Sequence, residues 1–301
     1  MARRPAPAPA GPPPPVAVQH LRVRYAKRGR MRFASHRDVA RAMERGVRKA
    51  GLPIAHSAGF TPHPKISYAG AAATGVASEA EYLEMAFVTA CVPDDVRDRL
   101  NAALPDGIDV IDVAERGSEQ GLASLEVSQW QLTLPGVTRA AAQAAVGAFL
   151  AASQVEVERH TSKGTRRMDA RAAVISMDLD RRAASASPGE CEMLRMVVRH
   201  TSPAVRPDDI LAALQNLARQ QSLARQHSSA NNGAAGLELS APPLITRLAQ
   251  GPLTGAAPAA SNGADGPAGI ADRTDRQPEA AQQEQATRLG ATAAVPTASP
   301  R

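Results

Sequence analysis

Two helix starts spelled Pro-Asp-Asp, at residues 93–95 and 207–209, stand about a hundred residues apart, and the same order of hydrophobic periodicities surrounds each. In "LRVRY" (21–25), Leu21, Val23 and Tyr25 alternate with Arg22 and Arg24, the period of a half-buried strand. Val39, Met43, Val47 and Ala50 then recur at helical spacing behind Ser35, an N-cap with Asp38 three residues on, and Gly51 and Pro53 end the run. "IAHS" and "YLEMAFV" read as two strands joined by the loop that holds His63. The first Pro-Asp-Asp opens a helix with Val96, Leu100 and Leu104 as its stripe, its acids at the positive end of the dipole, and "IDVIDV" closes the unit as a strand.

After a Gly/Ser/Glu-rich connector the order returns. "LEVSQWQLTL" is a strand, Thr138 to Ala152 a helix, "VEVERH", "AAVISMDL" and "CEMLRMVVRH" are strands, the second Pro-Asp-Asp opens a helix, and "LITRLA" closes. One strand is in excess. The order predicts an α+β chain of two tandem ferredoxin-like βαββαβ units, residues 19–116 and 124–250, each a four-stranded antiparallel sheet with two helices on one face. The Pro/Ala-rich arm 1–18 loses a backbone donor at each proline, and 251–301 has no aromatic and few branched apolar residues to offset its ordering entropy, so both are expected to be disordered. "SSANNGAAG" (228–236) reads as a mobile insertion.

Only four of the 35 basic residues are Lys (27, 49, 65 and 163), and the formal charge is +6. GC-rich codon usage inflates Arg along a whole chain, so local clustering carries the argument. Between 21 and 49 stand Arg22, Arg24, Lys27, Arg28, Arg30, Arg32, Arg37, Arg41, Arg45, Arg48 and Lys49, opposed only by Asp38 and Glu44. On the helix, Arg37, Arg41, Arg45 and Arg48 share one face, where like charges repel by a few tenths of a kcal/mol per pair. That pattern is either a solvated basic face or a surface for a polyanion, nucleic acid first. In "YAKRGRMRF", Lys27, Arg28 and Arg30 are expected to project from a hairpin turn between Tyr25, a core residue, and Phe33; cations beside aromatic faces suit single-stranded RNA.

In "GFTPHPKIS", prolines on both sides of His63 stiffen the backbone and aim the imidazole, with Phe60 before it and Lys65 after it. His36, at the first turn of the Arg helix, lies where backbone donors attract anions. "KGTRRMDARAAV" adds a second basic spot, Lys163, Arg166, Arg167 and Arg171 around Asp169, which could pair with Arg171 across a turn. No ligand spacing predicts a metal, and Cys91 and Cys191 read as buried free thiols. No phosphate loop or nucleophile elbow is present, so no cofactor is expected. With no apolar run near the ~20 residues of a membrane span and no signal-peptide core, a cytoplasmic protein is expected.

The run from Met31 to Met85 resembles the radical-SAM-linked protein family, a domain of unknown function, in four spaced blocks: R-F-x-S-H-x-D, R-A-x-x-R-x-x-R-x-A-G-L-P, S-x-G-F-x-P-H-P-K and G-x-x-S-E-A-E-Y-L. "KGTRRMDAR" resembles a weaker fifth block, and the likeness runs from about 19 to 220. It carries over to Ser35, His36, Asp38, Arg41, Arg45, Arg48, Gly59, Phe60, His63, Pro64, Lys65, Ser78 and Glu79. The resemblance implies a domain fused to or encoded beside a radical SAM enzyme, or near genes for ribonuclease E/G. With two cysteines the chain has no three-cysteine cluster and is not itself the radical enzyme. The reading is an accessory protein that binds or presents tRNA or rRNA to such a partner through Lys27, Arg28, Arg30, Arg32, the four helix arginines, Phe60, His63, Lys65, Arg166, Arg167 and Arg171. The alternatives are a metal-independent RNA-cleaving or RNA-modifying enzyme using His36 and His63, and a protein–protein adaptor.

Overall fold

The alternation of Leu21, Val23 and Tyr25 forms a strand, β1 (Gln19–Lys27), in a computed structural model that describes residues 14–117, 121–161, 164–180, 191–227 and 237–253. Residues 1–13, 228–236 and 254–301, on which much of the expected disorder falls, lie outside the described residues, as does Lys163. A 3-10 helix (Gly29–Phe33) leads to α1 (His36–Lys49). Ser35 closes a capping box: its Oγ accepts from Asp38 N–H, and its own N–H donates to Asp38 Oδ2 at 3.2 Å. Val39, Ala42, Met43, Gly46 and Val47 form the buried stripe. At the far end Arg99 donates to the carbonyls of Ala50 and Gly51, satisfying acceptors that the helix leaves open.

β2 (Ile66–Tyr68), β3 (Ala77–Phe87), α2 (Pro93–Ala103) and β4 (Ile108–Glu115) complete the first half. β1 lies between β3 and β4, antiparallel to both, with Val23 opposite Leu83 and Val113. Leu21, Val23, Tyr25, Leu83, Met85 and Phe87 thus share one face, buried beneath α1 and α2. Full burial of each aliphatic side chain contributes about 1.5–3 kcal/mol. The strand expected at "IAHS" is not formed. Ile54 and His56 make only isolated bridges, to Phe87 and Pro64, and the strand lies beyond the loop at 66–68. Pro53, Pro62 and Pro64 lack the N–H that a ladder needs, which confines regular pairing to the proline-free segment.

The second half comprises β5 (Val127–Pro135), α3 (Arg139–Ala151), β6 (Glu156–Thr161), β7 (Gly164–Asp169), the single turn α4 (Ala170–Ala173), β8 (Val174–Leu179), β9 (Cys191–Arg199), α5 (Pro207–His227) and β10 (Leu244–Gly251). Thr138 caps α3. The strand in excess, β6, leaves the main sheet and pairs with β7 in a hairpin of its own.

The result is a mixed α+β fold on one mainly antiparallel sheet, ordered β4-β1-β3-β10-β5-β9-β8, with β2 on β3. Each half contributes its strands in the same positional order, fourth, first, third, second. They join where β10 runs parallel to the start of β3, Thr246 opposite Ala77 and Arg247 opposite Ser78. A buried polar cluster marks this seam. Arg247 donates to Glu81 Oε1 at 3.2 Å and to Gly70 O at 2.8 Å, and its guanidinium lies 4.7 Å from the Trp130 ring centroid. Glu81 Oε2 accepts from Ala72 N–H, and Lys27 Nζ donates to the Ala72 and Ala73 carbonyls. The 70–76 segment is thereby held to both halves, and Ala72 and Val76 pack with the second half's core.

Candidate functional site

Because the apolar stripe of α1 faces the sheet, Arg37, Arg41, Arg45, Arg48 and Lys49 are exposed on its outer side. Neither acid of the segment forms an ion pair with these arginines. Asp38 accepts the Ser35 hydroxyl at 2.6 Å and the Ser35 N–H; these bonds hold its carboxyl below the usual range, with Arg41 adding a smaller effect. Glu44 is half-buried beside Tyr68, whose phenol is raised by burial and then by that carboxylate. Among the described residues, none of Arg37, Arg41, Arg45 and Arg48 has a carboxylate within ion-pair distance. On α2, by contrast, Arg97 reaches Asp94 at 2.7 Å and Asp98 at 2.9 Å.

The hairpin turn expected at 26–33 is replaced by the 3-10 helix, and its basic residues separate. Lys27 is 3% exposed, and burial lowers the pKa of its ammonium, which is committed to the Ala72 and Ala73 carbonyls. Arg28 pairs with Glu79 and with Asp109, the latter at 3.0 Å. Arg30 is exposed, and Arg32 stacks 4.6 Å from the centroid of exposed Phe33. Tyr25 is core, as expected, and its phenol is raised by burial and then by Glu81.

In the second basic spot Arg166 and Arg167 are exposed on the β6–β7 hairpin, Arg167 beside Glu158 at 2.8 Å. Arg159 ties this hairpin to α5 through Asp209. Arg171 does not pair with Asp169. Its guanidinium donates to the carbonyls of Leu150 and Val174, while Asp169 accepts the N–H groups of Arg171 and Ala172 as the α4 cap. Cys91 and Cys191 are free and half-buried, with burial raising the Cys91 thiol.

His36 and His63 belong to opposite sides of β2. The His36 ring meets Tyr68 edge-on at 5.1 Å, on the side of α1 and the core. On the other face, where Ser67 opposes Glu84, a cavity of about 300 Å3 is lined by His20, Ser57, His63, Lys65, Glu84 and Arg116. His63 is fixed by its backbone: its N–H donates to Ser57 Oγ at 3.0 Å, and its carbonyl accepts from Ser57 N–H at 2.8 Å. Lys65 N–H donates to Ala55 O, and Lys65 O accepts from Ala86 N–H, stapling the loop to β3. Glu84 Oε1 accepts from Leu122 N–H at 3.1 Å and lies 3.6 Å from Arg116 Nε. His20, Glu84 and Arg116 are absent from the residues singled out by sequence. His20 carries a signal, since alternation sets it on the polar face with Arg22 and Arg24; Arg116, just past the end of β4, carries none.

Among the described residues no group of three or more His, Cys, Asp or Glu is placed to hold a metal, and no helix is long and apolar enough to cross a membrane. A comparison with curated proteins found no match. A match to a known family spans residues 20–207, from β1 to the first residue of α5, and so covers α1 and the residues that line the cavity, while β10 and its side of the seam lie beyond it. The chain therefore belongs to the family described as uncharacterized protein conserved in bacteria (DUF2344).

Proposed function

We propose that this protein is an RNA-binding accessory module, cytoplasmic, which presents tRNA or rRNA to a partner radical SAM modification enzyme or ribonuclease. In this reading it is built of two ferredoxin-like units, 19–116 and 124–250; the matching strand order of the two halves supports that division. The carrying observation is the unequal treatment of arginines. Those at 28, 97, 139, 159, 195 and 247 are paired with carboxylates, whereas Arg37, Arg41, Arg45 and Arg48 have none within ion-pair distance among the described residues. A face that needed only solvation gains from interleaved acids, as α2 has; four guanidiniums at i, i+4, i+8 and i+11 instead suit successive phosphates. Exposed Arg30 and Phe33, with half-buried Arg32 stacked on Phe33, extend the surface toward its N-terminal end and provide a stacking face. A cleavage centre made of His36 and His63 gains no support, since the two lie on different sides of β2.

Ultraviolet crosslinking in cells, with adducts mapped to residues, tests the reading. RNA adducts on the peptides carrying 30–48 are expected; recovery of the protein free of RNA, or adducts confined to other surfaces, overturns it.

A further inference from the structure

The cavity on the face opposite α1 is not used by the α1 reading, and its composition is distinctive. Three separate segments supply its basic groups: His20 from β1, His63 and Lys65 from the proline-clamped loop, and Arg116 from just beyond β4. Two cations and two imidazoles line it with a single carboxylate. That carboxylate is occupied, since Glu84 already accepts the Leu122 N–H and borders Arg116. Ser57 and Ser67 add hydroxyls that donate to oxygen. The loop is organised before any ligand arrives, because reciprocal Ser57–His63 bonds and the Lys65 staples fix its backbone. Such preorganisation reduces the ordering cost of binding. The geometry points to a phosphate-group site: His20, His63, Lys65 and Arg116 hold the oxygens of one phosphate, either the terminal group of a nucleotide or a diester in an RNA strand. A forked guanidinium, an ammonium and two imidazoles around one opening suit the several oxygens of a phosphate group better than an apolar ligand.

The inference rests on residues separate from α1, so the two readings can fail independently. The test is titration of the full chain with inorganic phosphate, 5′-AMP and a short single-stranded RNA. It is followed by calorimetry and by histidine ring signals in proton–nitrogen correlation spectra. Saturable phosphate binding in about the millimolar range is expected, moving the His20 and His63 signals. His63→Ala with Lys65→Gln should weaken it by about tenfold or more, while Arg41→Gln with Arg45→Gln leaves it unchanged. Both pairs replace exposed side chains, and matching circular dichroism melts confirm that each variant is folded. Gain of affinity with 5′-AMP assigns the group to a nucleotide; gain only with RNA assigns it to a strand. Phosphate that does not saturate, or binding unchanged in the His63/Lys65 variant, overturns the site. RNA binding lost in the α1 variant with phosphate binding intact leaves it standing.

Discussion

Replacing Arg247 by Met tests the seam that makes one sheet of two halves. The Arg247 and Glu81 side chains are 8% and 4% exposed, and the guanidinium bonds both the carboxylate and the Gly70 carbonyl. Methionine keeps much of the volume against Trp130 but leaves Glu81 buried with a single N–H donor, from Ala72. Breaking one side of a buried pair costs about 3–5 kcal/mol, because the remaining charge is uncompensated. Against a total of about 5–15 kcal/mol this is a large share. With a urea slope of about 2–3 kcal/mol/M, the midpoint should fall by about 1.5 M. Equilibrium urea unfolding followed by circular dichroism measures it, and fluorescence of Trp130, the single tryptophan, reports on the seam itself. The double variant Arg247→Met with Glu81→Leu should recover part of the loss, since the Arg247–Glu81 pair is then removed whole, while buried Lys27, which loses Glu81 as its counter-charge, retains its bonds to the Ala72 and Ala73 carbonyls. A single-variant loss below about 1 kcal/mol, or a double variant no better than the single, would refute the reasoning.

Ser35→Ala removes the hydroxyl half of the α1 capping box and should cost about 1 kcal/mol by thermal or urea unfolding, with Ser35→Thr, which keeps the hydroxyl, restoring most of it. His200 accepts the Ser128 hydroxyl at Nε2, 2.6 Å away, and donates Nδ1–H to Leu125 O at 2.7 Å, and burial lowers its pKa from 6.5. The unfolded chain therefore binds the proton more readily, so the stability this residue contributes is complete above pH 6.5 and is lost as pH falls toward the lower folded value. Stability measured from pH 7.5 to 5 should fall less steeply in His200→Gln than in the unaltered protein; equal slopes would contradict the assignment.

Much of the fold was legible because its periods are clean. Leu21, Val23 and Tyr25 announce β1, Val39, Met43 and Val47 announce α1, and Ser35 with Asp38 marks the helix start to the residue. The same parity held information about the site. Lys27 shares parity with Tyr25 and ends buried, in a register shift between those two residues, while His20 shares parity with Arg22 and ends on the polar face. The position of β2 was not legible, because "IAHS" and "ISY" are both short and half-apolar, and the choice depends on which one β3 pairs. The join between halves was equally hidden. Arg247 and Glu81 lie 166 residues apart, and no local pattern states that β10 will run beside β3. Arginines whose carboxylates come from distant strands, such as Arg28 with Asp109, look in sequence like those of α1 that have none.

The salt dependence of RNA binding tests the function most directly. Affinity for a single-stranded RNA or for tRNA, measured by fluorescence anisotropy over a series of salt concentrations, should fall steeply. Arg41→Gln with Arg45→Gln should lower the slope of log K against log salt by about 1.4, about 0.7 for each single-strand phosphate contact removed. A slope unchanged in that variant, or no RNA affinity at low salt in the unaltered protein, would contradict the account.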